Sequence, residues 1–324
     1  IDAATRRNLE LDRTMGGSRR GSLLGEIDLT VSGAGGRLLA RRLAAPLTDP
    51  DAINRRLDAV AFCVSDSDRR ARLRGLLRQA PDLERALGRL SVDRGGPRDL
   101  AAVRDALGVA LEARSVLAAQ GYGLADLPPA LAEAEAALGG LADDDLAATL
   151  EAALVAEPPV IARDGGFIAP GFDAALDEHR RLRDESRRLI AGLETQYRDE
   201  TGIQGLKIKH NNVLGYHVDV TARHADALMA PPLNERFIHR QTLANNVRFT
   251  TTDLADLARR IAEAGDRALA MEQDLFRQLS GQVLARGEAL SAIARAMASL
   301  DVATALRELA QTRSEERRVG QECF

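Results

Sequence analysis

Tryptophan is absent from the chain, and aromatic residues as a class make up only 3% of it. A core with so few rings has to be filled by Ala, Leu, Ile and Val, which favours helix packed on helix. Cysteine is scarce too: Cys63 and Cys323 are the two present, which excludes a disulfide framework and a Cys-based zinc site and fits a reducing, cytoplasmic setting. The sequence has no run of about 18 apolar residues, so it predicts no membrane span and no membrane partner. It opens on Ile1 without a basic-then-apolar leader, and reads as a piece of a longer protein.

The usual chemical signatures are missing as well. A phosphate-binding loop needs a Gly ahead of its Lys, whereas Leu206 precedes Lys207 and Ile208 precedes Lys209. Gly33-Ala34-Gly35-Gly36 follows no strand pattern and is expected to break a helix. Neither Ser18 nor Ser22 sits in a nucleophile elbow, and no H-E-x-x-H occurs. His210, His217 and His224 recur every seven residues, but no carboxylate or Cys completes a metal set, so they are expected at the surface. Asp177, Glu178 and His179 are consecutive on a helix and point different ways. No catalytic residue, metal site or cofactor site is expected in this chain.

Lysine is the scarcity that carries information. Of 44 basic residues only Lys207 and Lys209 are lysines, and both lie in Thr201–Thr250. That stretch also holds Arg223, Arg236, Arg240 and Arg248 against Asp219, Asp226 and Glu235, a local charge of +3 in a chain whose net charge is -4. Such an island is an electrostatic footprint for a polyanion. On charge alone it is equally an ordinary solvated surface.

What remains is a chain of 324 residues, 45% hydrophobic and 28% charged, long enough for about two domains. Residues 1 to about 155 read as successive helices. Asp49-Pro50-Asp51 caps one that carries Ile53, Leu57, Val60 and Val64, and others span 69–78, 82–90 and 97–119. The run from Pro158 to Ala169, with Asp164-Gly165-Gly166 at its centre, predicts a small hairpin. A long helix follows from about Asp173 to Asp199, with Leu182, Leu189, Leu193 and Tyr197 as its buried stripe.

Alternation then replaces the helical period. Leu206, Ile208, Tyr216, Val218 and Val220 fall on the apolar positions of a hairpin turning at 211–215. Lys207, Lys209, His217 and Asp219 fall on the others and are expected to reach solvent. Arg236 to Phe249 are expected to lead back to the helices. From Thr252 to about 286 the stripe Leu254, Leu257, Ile261, Ala264, Ala268, Met271, Leu275, Leu279 and Val283 predicts a helix roughly 50 Å long. A last helix is expected over 288–310. The fold class implied is mainly α: a multi-helical core with two long antiparallel helices carrying a small β-rich module at their tip.

The strings themselves resemble a known family. Asp2-Ala3-Ala4-Thr5-Arg6-Arg7-Asn8-Leu9-Glu10-Leu11 is similar to the opening of the core domain in the MutS family of DNA mismatch-repair proteins. Gly21-Ser22-Leu23-Leu24, Gly36-Arg37-Leu38-Leu39, Arg56-Leu57-Asp58-Ala59-Val60, Asp82-Leu83-Glu84-Arg85 and Pro97-Arg98-Asp99-Leu100 follow in family order. So do Arg163-Asp164-Gly165-Gly166, Leu206-Lys207-Ile208-Lys209 with Gly215-Tyr216, and Arg240-Gln241-Thr242-Leu243-Ala244-Asn245.

The resemblance implies a core/lever domain in two segments, 1–185 and 251–312, around a clamp at 186–250, with a non-native tail over 313–324. It implies that the clamp touches duplex DNA backbone through Lys207, Lys209, Asn211, Asn212, Arg240, Gln241, Asn245 and Arg248. It places mismatch reading, and ATP and magnesium, in domains outside this chain, and implies a homodimer and a MutL-type partner for the full-length protein. His210 and Leu214 stand where many relatives carry aromatics, and Ala244 where some carry Lys. The alternative is a helical scaffold that binds protein rather than DNA, which leaves the basic island unexplained.

Overall fold

The computed structural model describes residues 1–118, 127–211 and 213–321, the side chains at 64–65, 182–184 and 311–321 excepted. Gly121-Tyr122-Gly123, whose two glycines punctuate the helical pattern in the sequence, lies outside the described residues. The first helices are α1 (Ala3–Asn8), α2 (Leu23–Ile27), α3 (Gly33–Ala44), α4 (Pro50–Ser65), α5 (Ser67–Gln79) and α6 (Leu83–Ser91). They continue as α7 (Pro97–Ala118), α8 (Pro129–Leu138), α9 (Leu146–Ala153) and α10 (Ala174–Thr201). Then come β1 (Lys207–Asn211), β2 (Gly215–Thr221), α11 (Ala222–Met229), β3 (Ile238–Thr242), β4 (Asn246–Thr250), α12 (Thr252–Ala285) and α13 (Gly287–Gln321). The chain is mainly helical with one small antiparallel sheet, and it divides into two compact units, residues 1–167 with 276–324, and 168–275.

The first unit is a helical bundle around α13, which packs against α3, α4, α5, α6 and α8. Gly287–Ala310 is long and apolar enough to cross a bilayer, but most of it is buried inside the protein. Leu290, Ile293, Leu300, Val302 and Ala305 are fully buried there, so its apolarity is that of a core helix. The helix also runs to Gln321, past the expected end at 310, because Ser314–Gln321 holds no Pro and is rich in Glu and Arg.

Gly33–Gly36 does not break a helix; it forms the first turn of α3. The side chain of Ser32 caps that turn by accepting from the Gly35 amide. Asp301, fully buried on α13, accepts from the amides of Val31 (2.9 Å) and Ser32 (2.8 Å) and from the Ser32 hydroxyl (2.6 Å). A Cβ at residue 35 would stand 2.1 Å from the Asp301 carboxylate, so glycine serves close approach here rather than helix termination.

The predicted hairpin at 158–169 is absent: Ala162–Asp164 make one turn of 3-10 helix. Pro158 and Pro159 supply no amide donors for a ladder, and Gly165 and Gly166 both adopt positive φ.

The second unit holds α10, the sheet, α11 and the first part of α12. Asp173 caps α10, and Gly202 ends it in the left-handed conformation (φ 68°). Tyr197 is buried and Leu193 partly so, but Leu189 is 45% exposed and drops out of the expected stripe; the Leu182 side chain lies outside the described residues. The sheet order is β1-β2-β4-β3, every pair antiparallel. Arg236–Phe249 therefore contribute a second hairpin rather than a plain return, and α11 precedes it. Leu206, Val218, Val220, Phe237, Val247 and Phe249 form the core with Tyr197, Ala225, Leu228 and Leu254. The Tyr197 and Phe237 rings meet edge to face at 5.2 Å.

Polar contacts fix the helices to this core. Tyr197 Oη bonds Thr251 Oγ1, and Arg180 reaches Glu272 at 2.8 Å. Glu194 accepts the Ile208 amide (2.7 Å) while Arg198 donates to the Leu206 carbonyl (2.8 Å), which ties β1 to α10.

Candidate nucleic-acid interface

In a strand successive side chains face opposite ways, so the pairing register decides which groups share a face. On β2, Val218 and Val220 enter the core, which puts His217 and Asp219 on the opposite face. Lys207 pairs with Asp219, Asp219 with Arg248, and Arg248 with Gln241. One row across all four strands thus reads Lys207, Asp219, Arg248, Gln241. Lys209 lies diagonal to Asp219, opposite His217.

Charge and hydrogen bonding on this face converge on Asp219, which is 6% exposed. Lys209 Nζ donates to Asp219 Oδ1 (3.1 Å), Asn246 Nδ2 donates to the same oxygen (2.9 Å), and Arg248 Nε stands 3.8 Å from Oδ2. Arg248 Nη1 in turn donates to Gln241 Oε1 (2.8 Å). The expectation that His217 and Asp219 reach solvent is corrected: both are buried, Asp219 beneath the longer side chains of Lys209 and Arg248 that turn onto it. His217 Nδ1 bonds the Gly215 carbonyl at 3.0 Å, and its buried Nε2 has no partner among the described residues.

Of the residues singled out from sequence, Lys207, Lys209, Gln241 and Arg248 are brought together on this face. Lys207 is exposed and makes no ion pair among the described residues. Arg240 is also exposed, at the bulge between His239 and Gln241, and Asn245 is exposed in the β3–β4 turn. Asn211 is committed locally: its Oδ1 accepts the amides of Val213 (2.9 Å) and Leu214 (2.8 Å) and builds the β1–β2 turn. Asn212 lies outside the described residues.

Arg236, His210 and His239 of the island have structural partners. Arg236 bridges Glu200 (2.8 Å) and Asp253 (2.9 Å) and covers the Tyr197 ring at 5.5 Å. Burial opposes its charge, but the two carboxylates outweigh that and hold its pKa above the usual value. Burial pushes the Tyr197 phenol up, with the Thr251 bond pulling the other way. His210 meets Tyr216 edge-on at 4.8 Å, and His239 bonds Thr242 at 2.9 Å.

Sequence reasoning missed Asp219 as the hub and Asn246 as its partner. The signal for Asp219 was present: with the turn at 211–215, the register already sets it opposite Lys207. Asn246 depended on the second hairpin.

Neither the glycine-rich turn nor the two lysines form a phosphate-binding loop among the described residues. The Gly-rich start of α3 already has the Asp301 carboxylate on the amides that a phosphate would need. Both lysines stand on β1, Lys207 at its start and Lys209 at its middle, rather than at a helix N-terminus.

Residues 4–306 match the family model described as MutS domain III. The chain is 57% identical over 310 residues to a protein of Rhodopseudomonas palustris named DNA mismatch repair protein MutS, covering 96% of this chain and 33% of that protein. Proteins of the same name from Ruegeria pomeroyi and Nitrobacter winogradskyi are 54% and 53% identical, each over 96% of this chain and over 35% and 34% of their own length. The chain thus spans about a third of the length of the curated relatives it matches.

Proposed function

The chain belongs to the MutS family of DNA mismatch-repair proteins, and from that premise we propose that its sheet is a clamp gripping the backbone of duplex DNA without reading bases. The observation that carries the reading is the row Lys207, Arg248 and Gln241 with Lys209 beside it, on the face of the sheet turned away from its own core. Cations and amides of this kind suit phosphate oxygens, which position a protein without specifying sequence. No pair of exposed aromatics on that face offers a stacking platform for single strands among the described residues.

In this reading 186–250 is the clamp, and 1–185 with 251–312 are the core/lever. The Arg180–Glu272 and Tyr197–Thr251 contacts support antiparallel lever helices, since residues further along α10 meet residues further back along α12. Mismatch recognition, ATP and magnesium, homodimerisation and a MutL-type partner belong to the longer protein, in the cytoplasm, and this chain links the clamp to that machinery.

The test is fluorescence anisotropy of the 324-residue chain on matched and mismatched duplexes over a range of salt. Lys207, Lys209, Arg240 and Arg248, each neutralising one phosphate, set a ceiling slope of roughly -3.6 in log K against log salt. Weak binding without mismatch preference is expected, and changing Lys207, Lys209 and Arg240 together to Ala flattens the slope. An unchanged slope in that variant puts the contacts elsewhere. No binding at low salt together with capture of a protein partner favours the scaffold reading.

A further inference from the structure

A carboxylate at the centre of a phosphate-gripping face works against the grip, and Asp219 is so placed. It is nearly inaccessible, it is fixed on an inner strand of the sheet, and its oxygens hold Lys209 at 3.1 Å and Arg248 at 3.8 Å. Asn246 fixes the carboxylate from the neighbouring strand at 2.9 Å. Resting on the clamp reading, we propose that Asp219 is a built-in counter-ion that stands in for a phosphate on the free clamp and restrains the grip of Lys209 and Arg248 on DNA.

The two cations differ from the other pair in this respect. Lys207 and Arg240 are exposed with no acid within ion-pair reach among the described residues, so they meet a phosphate unopposed. Lys209 is half exposed, so its ammonium can be shared with an incoming phosphate, but each such contact competes with a carboxylate that cannot move away. Arg248 is hydrogen-bonded to Gln241, and its Nε faces Asp219 at ion-pair distance, 3.8 Å. The sheet therefore carries four such cations, Arg240 at its bulge included, but presents the unopposed charge of fewer.

The experiment compares salt slopes for the wild-type chain, Asp219→Asn, and Asp226→Asn, which removes an exposed acid on α11 as a charge-matched control. Asparagine keeps the shape of residue 219 and an acceptor for Asn246; Asp219→Ser is a second neutral variant should the first fold poorly, with circular dichroism checking each. The wild-type slope is expected to fall short of the four-cation ceiling. The residue 219 variant is expected to steepen it by about 0.9 per released cation and to bind about tenfold tighter near 50 mM salt. The control is expected to leave the slope unchanged. The gain is expected to shrink when Lys209→Ala is added, because the two residues are coupled.

Wild-type binding with no steepening in the folded residue 219 variants overturns the restraint while leaving the clamp reading intact. A gain matched by Asp226→Asn, or one that survives in full without Lys209, overturns it too. Failure of the wild-type chain and the variants alike to bind duplex overturns the clamp reading and the restraint together.

Discussion

Each unit buries an aspartate, and the two are satisfied in opposite ways. Asp301 of the helical unit receives backbone amides and one hydroxyl, groups that are fixed when the chain folds. Asp219 of the sheet unit accepts from the side chains of Lys209 and Asn246 and faces Arg248 at 3.8 Å, so two of these three neighbours carry charge. A buried carboxylate is costly unless hydrogen-bonded, and both are. The first arrangement spends its bonds on architecture and leaves nothing for a ligand. The second leaves cations whose remaining donors can be redistributed, and under the proposed clamp this is where burial of an acid bears on binding.

The same substitution at both sites separates these roles most strongly. Asp301→Asn must turn an amide N–H toward the donors of Val31 and Ser32, and is expected to destabilise the helical unit by about 3 kcal/mol. Asp219→Asn can place its amide nitrogen where Arg248 alone stands, at 3.8 Å, and is expected to cost under about 1 kcal/mol. Hydrogen exchange followed unit by unit is the measurement, since a two-unit chain has no single unfolding free energy. Equal losses would erase the distinction.

Gly35→Ala tests the architectural site from the other side. Its Cβ meets the Asp301 carboxylate at 2.1 Å, so a loss of about 2 kcal/mol confined to the helical unit is expected in the same exchange experiment. Within the sheet unit, Tyr197→Phe removes the bond to Thr251 from the base of the core and is expected to cost about 1 kcal/mol without changing DNA affinity.

The smallest effect is electrostatic. Arg37 holds the Asp82 carboxyl below the usual carboxylate range through paired bonds of 2.7 and 2.8 Å. A depressed folded-state pKa gives stability that is present above the ordinary value and lost as pH falls through the depressed one. Both side chains are about a third exposed, so solvent limits the gain to under about 1 kcal/mol. Acid melts of wild type and Arg37→Gln should converge at the lowest pH; a constant gap would mean that Arg37 acts through packing.

What could be read in advance followed from periodicity. The long helices α10 and α12 were legible within about two residues because capping and stripe agree, as at Asp173 and along Leu254 to Val283, whereas α13 overran its expected end. The β1–β2 hairpin was legible through its alternation and turn. The second hairpin was not, because β3 is exposed along its whole length and so lacks an apolar alternation. The Gly33–Gly36 turn was misread because the reason for its glycines, Asp301, lies 266 residues away in sequence. The three gathered cations followed from charge and Gln241 from its amide donors, whereas the commitment of Asn211 to its turn and of Lys209 to Asp219 required the register.

The central claim is that the outward face of the sheet meets DNA, and the scarcity of lysine makes it directly measurable. The amines of the chain are Lys207, Lys209 and the α-amino group of Ile1, so acylation by an amine-selective reagent, read by mass spectrometry, reports on the face with an internal control in the other unit. Saturating duplex is predicted to slow modification of Lys207 and Lys209 and to leave Ile1 unchanged. Binding of the duplex with both lysines modified at their original rates would contradict the account.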